Sequence, residues 1–417
     1  MMKRLVWLLC AAVTTALFLT APARAQNEVV IGSLYPLSGQ GAQVGVDARY
    51  AMETAVDIIN NTYDLDLPLA RTAGLPNLGG AKVRLVWADH QADPQKGRAE
   101  AERLITQDKV VALVGTYYSS VAAVVAQVAE RYQVPFVAVE ASSPSLTRNG
   151  FRWLFRTGPH DAMFSIAMFD FLKDLADKKG IQVASLALFH EDTLFGTDGS
   201  RVQAEQARQR GIRLVADIRY RANSPSLSSE VERLKAAGGE VLMPISYVND
   251  AILLIKTMSE LNYHPTAIIA QDAGYIESSF LTAVGSKADG IISRGSFSLD
   301  LARKRPAVSI VNEMYRKRSG KDLTDNTARE LMGVLVLADA INRAGSTRPE
   351  AIRAALARTD LPGDQTIMPW AGVKFDETGQ NTEATPIMMQ YIDGEFRTIW
   401  PFDVATHDVV WPMPGSR

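Results

Sequence analysis

The sequence predicts an α/β protein of two lobes, each a parallel sheet flanked by helices. The first observation is a regular alternation of short apolar runs, typical of buried strands, with longer amphipathic runs, typical of helices. The second is the length of 417 residues, which exceeds what one compact core usually holds. The third is that the alternation occurs in two halves of similar pattern. Regular alternation of this kind predicts parallel sheets covered on both faces.

The first 25 residues have the features of a secretory signal peptide. Lys3 and Arg4 give a positive start, residues 5–20 form an apolar core, and residues 23–25 (Ala-Arg-Ala) match a small-x-small cleavage site. The single cysteine, Cys10, lies inside that apolar core, so no disulfide is expected in the mature chain. No later segment reaches the roughly 20 uninterrupted apolar residues of a membrane span. We therefore predict a soluble protein exported to the periplasm.

The composition argues against nucleic acid as a partner. The formal net charge is −2, without the basic excess that nucleic-acid binding requires. Apolar residues make up 47% of the chain and charged residues 22%, which is ordinary for a soluble globular protein.

The elements follow one another from residue 28 onward. Helices are recognised by apolar residues at helical spacing, as at Met52, Ala55 and Ile59. Residues 61–80 are rich in turn residues and are predicted to form a surface insertion. The predicted strands are 28–34, 83–88, 110–114, 134–139, 183–189, 213–218, 240–245, 267–270 and 291–296. Predicted helices include 46–60, 161–175, 198–209, 249–261, 307–318, 327–344 and 349–358.

The stretch 110–146 carries the strongest indication of a binding site. An apolar strand leads into the polar turn 115–120, then an amphipathic helix, then a second strand that ends at Glu140, Ala141 and Ser142. Its two parallel strands are expected to end side by side. In open α/β sheets, ligands bind just beyond the carboxyl ends of the strands. Both loops therefore offer hydroxyl groups to one place.

Ser119 or Ser120 stands where the cap of the following helix is predicted. The free N–H groups of such a turn can hold a carboxylate or another polar head group. An ordinary helix cap without a ligand explains the same serines. For Tyr117 and Tyr118 two interpretations also stay open, a wall for an aromatic ligand and half-buried packing.

Six segments, in the same order and spacing, resemble the branched-chain amino-acid-type (Leu/Ile/Val) periplasmic binding proteins. They are GSLYPLSGQGAQVG, ADHQADPQKGRAEAERLI, VVALVGTYYSS, VPFVAVEASSPSLT, FRTGPHD and HEDTLFGTDG. These relatives are substrate receptors of ABC importers with the type I periplasmic-binding fold. The resemblance implies two lobes joined by three crossings, with the ligand in the cleft between them. Lobe 1 would comprise residues 26–157 plus 291–370, and lobe 2 residues 158–290 plus 371–417.

The resemblance also assigns roles to particular residues. Ser119 and Ser142, with Glu140 and Ala141 beside the latter, match the positions that grip the carboxylate and amine of an amino acid. From lobe 2, Phe195 and Tyr247 match aromatic residues that cover the ligand. Asp272 matches an acidic residue that pairs with the ligand's ammonium. With Tyr118, these residues form the predicted ligand-binding set.

Glu140 departs from the family pattern, because small residues are common at its position. A carboxylate in a closed cleft is costly unless it is paired. Glu140 and Asp272 are therefore expected to face a ligand ammonium from opposite sides. The alternative is that Glu140 pairs with Arg148 or Arg152 and does not meet the ligand.

The resulting prediction is an extracytoplasmic receptor that delivers an amino- or amide-bearing ligand to the permease subunits of an ABC importer. We expect it to act as a monomer without a cofactor. No metal site is expected either, since the five histidines show no H-x-x-x-H spacing. A receptor for an aromatic or aliphatic carboxylic acid and a sensor for a signalling partner are the alternatives. An enzyme with Ser119 as nucleophile would need His90 or His190 as a base held by a third group, and the sequence shows no such set.

Overall fold

The computed structural model describes residues 28–416, apart from the side chains of residues 302–304. The predicted signal peptide, residues 1–25, lies outside the described residues. The described chain folds around two sheets with helices on their faces, which confirms the predicted α/β class. No helix within it is both long and apolar enough to cross a membrane.

The first sheet is entirely parallel. Its five strands lie in the order β2-β1-β3-β4-β5. They are β1 (Glu28–Tyr35), β2 (Lys82–Asp89), β3 (Ala112–Gly115), β4 (Phe136–Ala138) and β5 (Leu154–Arg156). The strands β3 and β4 are direct neighbours, so the loops after them open at the same edge, as the sequence predicts.

The second sheet has five parallel strands extended by an antiparallel hairpin. The parallel strands are β6 (Ser185–Glu191), β7 (Arg213–Tyr220), β8 (Val241–Ile245), β9 (Ala267–Ala270) and β10 (Ile292–Gly295). A separate two-stranded sheet follows, formed by β11 (Asp360–Pro362) and β12 (Gly372–Lys374). The hairpin strands are β13 (Ile387–Ile392) and β14 (Glu395–Trp400), with β13 beside β10. Asp393 and Gly394 join them with φ of 52° and 84°, the conformation that a tight hairpin turn requires.

Sheet membership differs from the lobe boundaries that the resemblance implies. Residues from 291 were assigned to lobe 1, but β10 pairs with β9 in the second sheet. The reason is that the apolar run at 291–292 continues the parallel sheet for one more strand before the chain leaves it. The chain passes between the sheets three times, after β5, after β10 and before β13.

Twelve helices cover the sheets in the described part of the chain. The first six are α1 (Ala42–Asn60), α2 (Pro94–Thr106), α3 (Ser119–Tyr132), α4 (Ser145–Arg148), α5 (Asp161–Lys179) and α6 (Leu194–Gln209). The others are α7 (Ser228–Ala237), α8 (Val248–Glu260), α9 (Ser278–Val284), α10 (Pro306–Ser319), α11 (Asp325–Ala344) and α12 (Pro349–Ala357).

Helix α11 packs against α1 and the first sheet, and nearly all of its residues are buried. A capping box between Thr324 and Thr327 fixes its start. Gly333 lets the helix approach the end of β4, since a Cβ atom at this position would lie 2.1 Å from Cγ1 of Val139. The first turns of α11 are thereby held close to the loop that follows β4.

Residues 61–80 are largely irregular and half of them are exposed, as predicted for a surface insertion, but the segment also contributes to the core. Leu65, Leu67 and Leu75 are buried in the core. The segment is tied to its surroundings by a hydrogen bond from Gly74 N to Ile59 O (2.8 Å) and one from Asn77 N to Asn342 Oδ1 (2.9 Å). The leucines explain why part of the segment is buried, because they remove apolar area from water between turns whose sequence is typical of a surface loop.

Candidate ligand-binding site

Two loops of the first sheet form one wall of the candidate site. Strand β3 ends at Gly115, whose φ is 136° and whose added Cβ would lie 2.6 Å from Leu34 O, so that only glycine fits there. The loop after β3 accepts hydrogen bonds from the loop after β4, from Val139 N to Gly115 O (3.1 Å) and from Ala141 N to Thr116 O (3.2 Å). The two loops are thus joined into one surface.

The predicted helix cap lies one residue earlier than expected. Tyr118 is the N-cap of α3 and makes no side-chain capping bond, while Ser119 is the first residue of the helix. The hydroxyl of Ser119 instead accepts a hydrogen bond from Ser143 N (3.3 Å). Ser119 therefore joins the loop after β3 to the loop after β4, and its own backbone N–H remains directed toward the second sheet.

Three adjacent strands of the second sheet supply the opposite wall. Phe195 lies in the first turn of α6, which follows β6, and Tyr247 is the N-cap of α8, which follows β8. Asp272 follows β9 with φ of 57°, a left-handed conformation that is uncommon outside glycine. Because β6, β8 and β9 are neighbours, these three side chains meet at the carboxyl edge of the sheet.

An aromatic cluster joins the two walls, with Tyr247 at its centre. Its ring centroid lies 4.3 Å from Tyr118, 5.0 Å from Tyr117 and 5.1 Å from Phe195. The Tyr247 hydroxyl accepts a hydrogen bond from Ser119 N (3.1 Å). This hydroxyl therefore binds the helix N–H group that was predicted to hold the head group of a ligand.

The walls enclose a small cavity of about 10 Å³, which is room for about one water molecule. Six of the eight predicted site residues line it, namely Ser119, Glu140, Ser142, Phe195, Tyr247 and Asp272, together with Tyr117, Ala273, Arg294, Asn326 and Arg329. The structure is thus a closed arrangement, and a ligand of amino-acid size requires the walls to separate.

The other two predicted residues lie beside the cavity. Tyr118 lines a neighbouring cavity of about 60 Å³, together with Glu191 and Tyr247. Ala141 turns its carbonyl away, where it accepts a hydrogen bond from Arg156 (3.2 Å). Arg156 is buried and also donates to Ser143 O (2.7 Å). Its role in the structure is to hold the loop after β4 in place.

Asp272 is already paired within the protein. Its Oδ2 atom binds the guanidinium of Arg294 and lies 3.0 Å from Nη2 of Arg329. Arg329 also lies 2.9 Å from Asp325 Oδ2, and Arg294 stacks on Phe164 at 3.7 Å from the ring centroid. Asp272 was predicted to be free for a ligand ammonium, but two guanidiniums compensate its charge. Arg329 belongs to α11 on the first sheet, so this ion pair also connects the two walls.

Glu140 has a carboxyl neighbour instead of a cation. It is 5% exposed and lies within hydrogen-bonding reach of Glu330, which is fully buried. In the described residues, neither carboxylate has a hydrogen-bond donor. Arg148 and Arg152, the alternative partners that the sequence offered, form no ion pair with Glu140 there. Burial raises the pKa of Glu140 to about 7, and burial and the charge of Glu140 raise the pKa of Glu330 well above its usual range.

The region around the cavity is rich in carboxyl groups. Burial raises the pKa of Glu191 and of Glu277 to about 8. Two buried histidines behave in the opposite sense, since burial lowers the pKa of His90 to about 4 and that of His160 to about 3. The buried carboxyls near the cavity are Glu140, Asp161, Asp272, Glu277, Asp325 and Glu330, against the guanidiniums of Arg156, Arg294 and Arg329. The cavity is therefore surrounded by more carboxyls than guanidiniums, and burial keeps protons on several of these carboxyls near neutral pH.

Sequence reasoning missed the charged residues that come from the later part of the chain. Arg294 lies in a strand between apolar and small residues, and the pair Arg329-Glu330 lies directly before the long apolar run of a buried helix. A charge in a buried strand, or a charged pair on a buried helix, is the signal that would have identified them, because such residues are rare in a core without a partner. Their partner, Asp272, is distant in sequence and was assigned another role.

The described residues contain no arrangement for metal binding or for nucleophilic catalysis. No group of three or more His, Cys, Asp or Glu side chains within residues 28–416 is placed to hold a metal ion. His90 Nδ1 accepts a hydrogen bond from Ala92 N, and His190 Nε2 lies 3.3 Å from Asp217. Neither histidine is a hydrogen-bond partner of the Ser119 hydroxyl, so that serine has no base beside it.

Similarity to known proteins extends over nearly all of the described residues. The sequence profile of the family "Periplasmic binding protein" matches residues 28–395. "Leu/Ile/Val-binding protein homolog 8" of Brucella suis is 30% identical over 407 residues, which cover 95% of this chain and 96% of that protein. The substrate-binding protein LivJ of Streptococcus pneumoniae, solved with isoleucine, is 20% identical with a TM-score of 0.73, covering 92% of this chain and 100% of that chain.

A third similar protein has a different ligand. The solute-binding protein of an ABC transporter from Rhodopseudomonas palustris, solved with 3,4-dihydroxy benzoic acid, is 19% identical with a TM-score of 0.74. The match covers 94% of this chain and 100% of that chain. At such identities the two solved structures show the shared fold alone. With the family profile spanning nearly all of the described residues and a relative 30% identical along almost the full length, this chain belongs to the periplasmic binding protein family.

Proposed function

We propose that this protein is the periplasmic receptor of an ABC importer and binds a small amino- or amide-bearing solute between its two lobes. The observation that carries the proposal is the placement of the cavity. Loops from the carboxyl edges of both sheets close over it, and buried carboxyls outnumber guanidiniums around it. An enclosed site with unpartnered carboxyl oxygens, such as those of Glu140, favours a ligand with a protonated nitrogen or a strong hydrogen-bond donor. Membership of a family of binding proteins agrees with a receptor rather than an enzyme.

The lobes are proposed to open and close about the three crossings between the sheets. In the closed arrangement Tyr247 reaches Ser119, and Arg329 reaches Asp272, across the cleft. A solute entering the cavity replaces the first contact and adds its own contacts to both walls. It favours the closed state only to the extent that it binds that state more tightly than the open one.

A second candidate ligand is an aromatic or aliphatic carboxylic acid. Arg294 and Arg329 line the cavity, and their Nε atoms have no hydrogen-bond partner in the described residues. A carboxylate there would compete with Asp272 for the same guanidiniums. We place this candidate second because both arginines already contact carboxylates of the protein.

The importer and the location follow from the same proposal. The predicted signal peptide would direct export, and the closed lobes would present the solute to permease subunits in the membrane. The receptor is proposed to act as a monomer, since both walls of the cleft come from one chain.

The test is a thermal-shift screen of the purified protein against the standard amino acids, small amides, and aromatic and aliphatic acids. A ligand that binds the folded state raises the unfolding temperature by mass action. At least one amino or amide compound should do so, and calorimetry should then show saturable binding with the compound recovered unchanged. Stabilisation by acids alone would support the second candidate, and steady turnover would contradict a receptor.

A further inference from the structure

Glu140 and Glu330 form a carboxyl pair at the wall of the cavity. Glu140 comes from the loop after β4 and lines the cavity, whereas Glu330 comes from the second turn of α11 and lies behind it. Both side chains are more than nine-tenths buried, and all four of their oxygens lack a donor in the part of the chain that the structure describes. Two ionised carboxylates this close, away from water, repel each other strongly.

Among the side chains that the structure describes, one cation stands beside the pair. Arg329 stands nearest, but its guanidinium already contacts Asp272, Asp325 and Asn326. The other titratable groups that face the pair are acidic or phenolic, from α1, β1, the loop after β3, the start of α9, α10 and α11: Asp47, Tyr35, Tyr117, Glu277, Tyr315 and Asp325. The pair therefore needs a proton of its own, held between the two carboxyls, when no other cation is near.

We propose that Glu140 and Glu330 hold one shared proton in the empty cleft and that a cationic nitrogen of the solute replaces it. On binding, the protonated amine lies against Glu140, both carboxyls become ionised, and the displaced proton leaves for the solvent. Charge balances, since one positive charge enters the site as one leaves. This inference rests on the proposed function and deepens it, because it moves recognition of the amine from Asp272 to Glu140.

The different partners of Asp272 and Glu140 support this assignment. Two guanidiniums contact Oδ2 of Asp272 and already compensate its charge, so an ammonium at its unpartnered Oδ1 would gain little attraction and would lie close to both arginines. Glu140 offers two unpartnered oxygens beside the cavity, and an ammonium there breaks no ion pair. The raised pKa of Glu140, about 7, agrees with a proton that is held at neutral pH yet can be displaced. Affinity for a cationic amine should therefore increase as the pH rises toward about 7.

The experiment measures proton release by calorimetry in phosphate and in Tris, whose heats of ionisation differ. The probes are two matched sets. One contains L-leucine, 4-methylpentanoate, which lacks the amine, and 3-methylbutylamine, which lacks the carboxylate. The other contains L-phenylalanine, 3-phenylpropionate and 2-phenylethylamine. Amine-bearing probes should bind with release of about one proton, and the acids should release none.

Three glutamine variants separate recognition from structure. Glu140→Gln should abolish the preference for the amine and weaken amine binding by about tenfold or more. Glu330→Gln should still bind the amines but release almost no proton, because the amide introduced there can donate a hydrogen bond to the Glu140 carboxylate in place of the shared proton. Glu191→Gln is the matched control, since Glu191 is equally buried with a raised pKa but neither lines the cavity nor faces the pair, and it should keep the proton release of the parent.

The outcomes distinguish this inference from the proposed function. Binding of amines without proton release, or an unchanged preference in Glu140→Gln, would overturn the inference and leave the receptor assignment intact. Failure of every amine-bearing probe would also overturn it, because the receptor itself is judged on the wider thermal-shift screen. If Glu140→Gln does not fold, the loss or retention of proton release in Glu330→Gln decides the question.

Discussion

Replacing Arg329 by glutamine should destabilise the protein more than any surface charge change. Its side chain is 2% exposed and contacts Asp272 at 3.0 Å and Asp325 at 2.9 Å. Removing one partner of a buried ion pair costs about 3–5 kcal/mol, since the remaining charge stays buried. Asp272 keeps Arg294, and Asp325 keeps a hydrogen bond from Ser296 N (2.6 Å). We therefore expect the lower end, a loss of about 3 kcal/mol in the free energy of unfolding.

The assay is urea unfolding followed by circular dichroism, with the stability change taken from the midpoint at unchanged slope. The control is Arg49→Gln, which removes an exposed ion pair to Glu53 within one helix. Such a pair contributes about 0.5 kcal/mol or less. A double-mutant cycle with Asp272→Asn should give a coupling energy of about 1–3 kcal/mol.

The same variant tests whether Arg329 helps to keep the cleft shut. Since Arg329 and Asp272 lie on opposite walls, small-angle scattering of Arg329→Gln should show a larger radius of gyration than that of the ligand-free parent. If Arg329→Gln unfolds within 0.5 kcal/mol of the parent and has the same radius, the reasoning from this ion pair is refuted.

Three further predictions follow from the buried groups of the cleft. The free energy of unfolding should fall as the pH rises from about 6.5 to about 8, because folded Glu191 and Glu277 still hold protons that the unfolded chain has lost. Each contributes up to about 1.4 kcal/mol per pH unit. The buried histidines change the stability only below this pH range. Thermal unfolding against pH should show the decline, and Glu277→Gln should make it shallower, whereas a flat profile would contradict it. Ser119→Ala and Ser142→Ala should each weaken binding of the best amino compound by about 1–3 kcal/mol without loss of the fold. If calorimetry gives both variants the affinity of the parent, the head group of the ligand lies elsewhere. Tyr247→Phe should bind an amino acid about 2- to 10-fold more tightly, because no hydroxyl then competes for Ser119 N, and weaker binding would show that the hydroxyl contacts the ligand.

The parts of the fold that depend on local pattern could be predicted from the sequence. Apolar runs predicted β1 to β4 and β6 to β10, and parallel pairing then brought the loops after β3 and β4 together, whereas the short β5 and the hairpin β13–β14 were not among the predicted strands. The position of β10 was not predicted correctly, because a four-residue strand pairs equally well with either sheet as far as its own residues show. Its place is decided by β9 and β13 on either side, which are tertiary contacts.

The electrostatics of the site could not be read in the same way. Six of the eight predicted residues line the cavity, since they stand at strand ends whose direction is known. The partners of Asp272 and Glu140 come from β10 and α11, far along the chain, and nothing local in the sequence indicates which charges will meet. The state of a carboxyl group depends on such neighbours more than on its own position.

Gly333 has a consequence for acid–base behaviour although it carries no side chain. It allows α11 to pass against Val139, the residue immediately before Glu140, and Glu330 lies one turn earlier on the same helix. The separation between the two carboxyl groups thus depends on how closely α11 packs against the side chain of Val139. A methyl group at 333 would push helix and loop apart, and two glutamates at a greater distance would titrate independently, each nearer its ordinary range. The proton affinity of this cleft is therefore a property of van der Waals packing at a glycine as much as of the acids themselves.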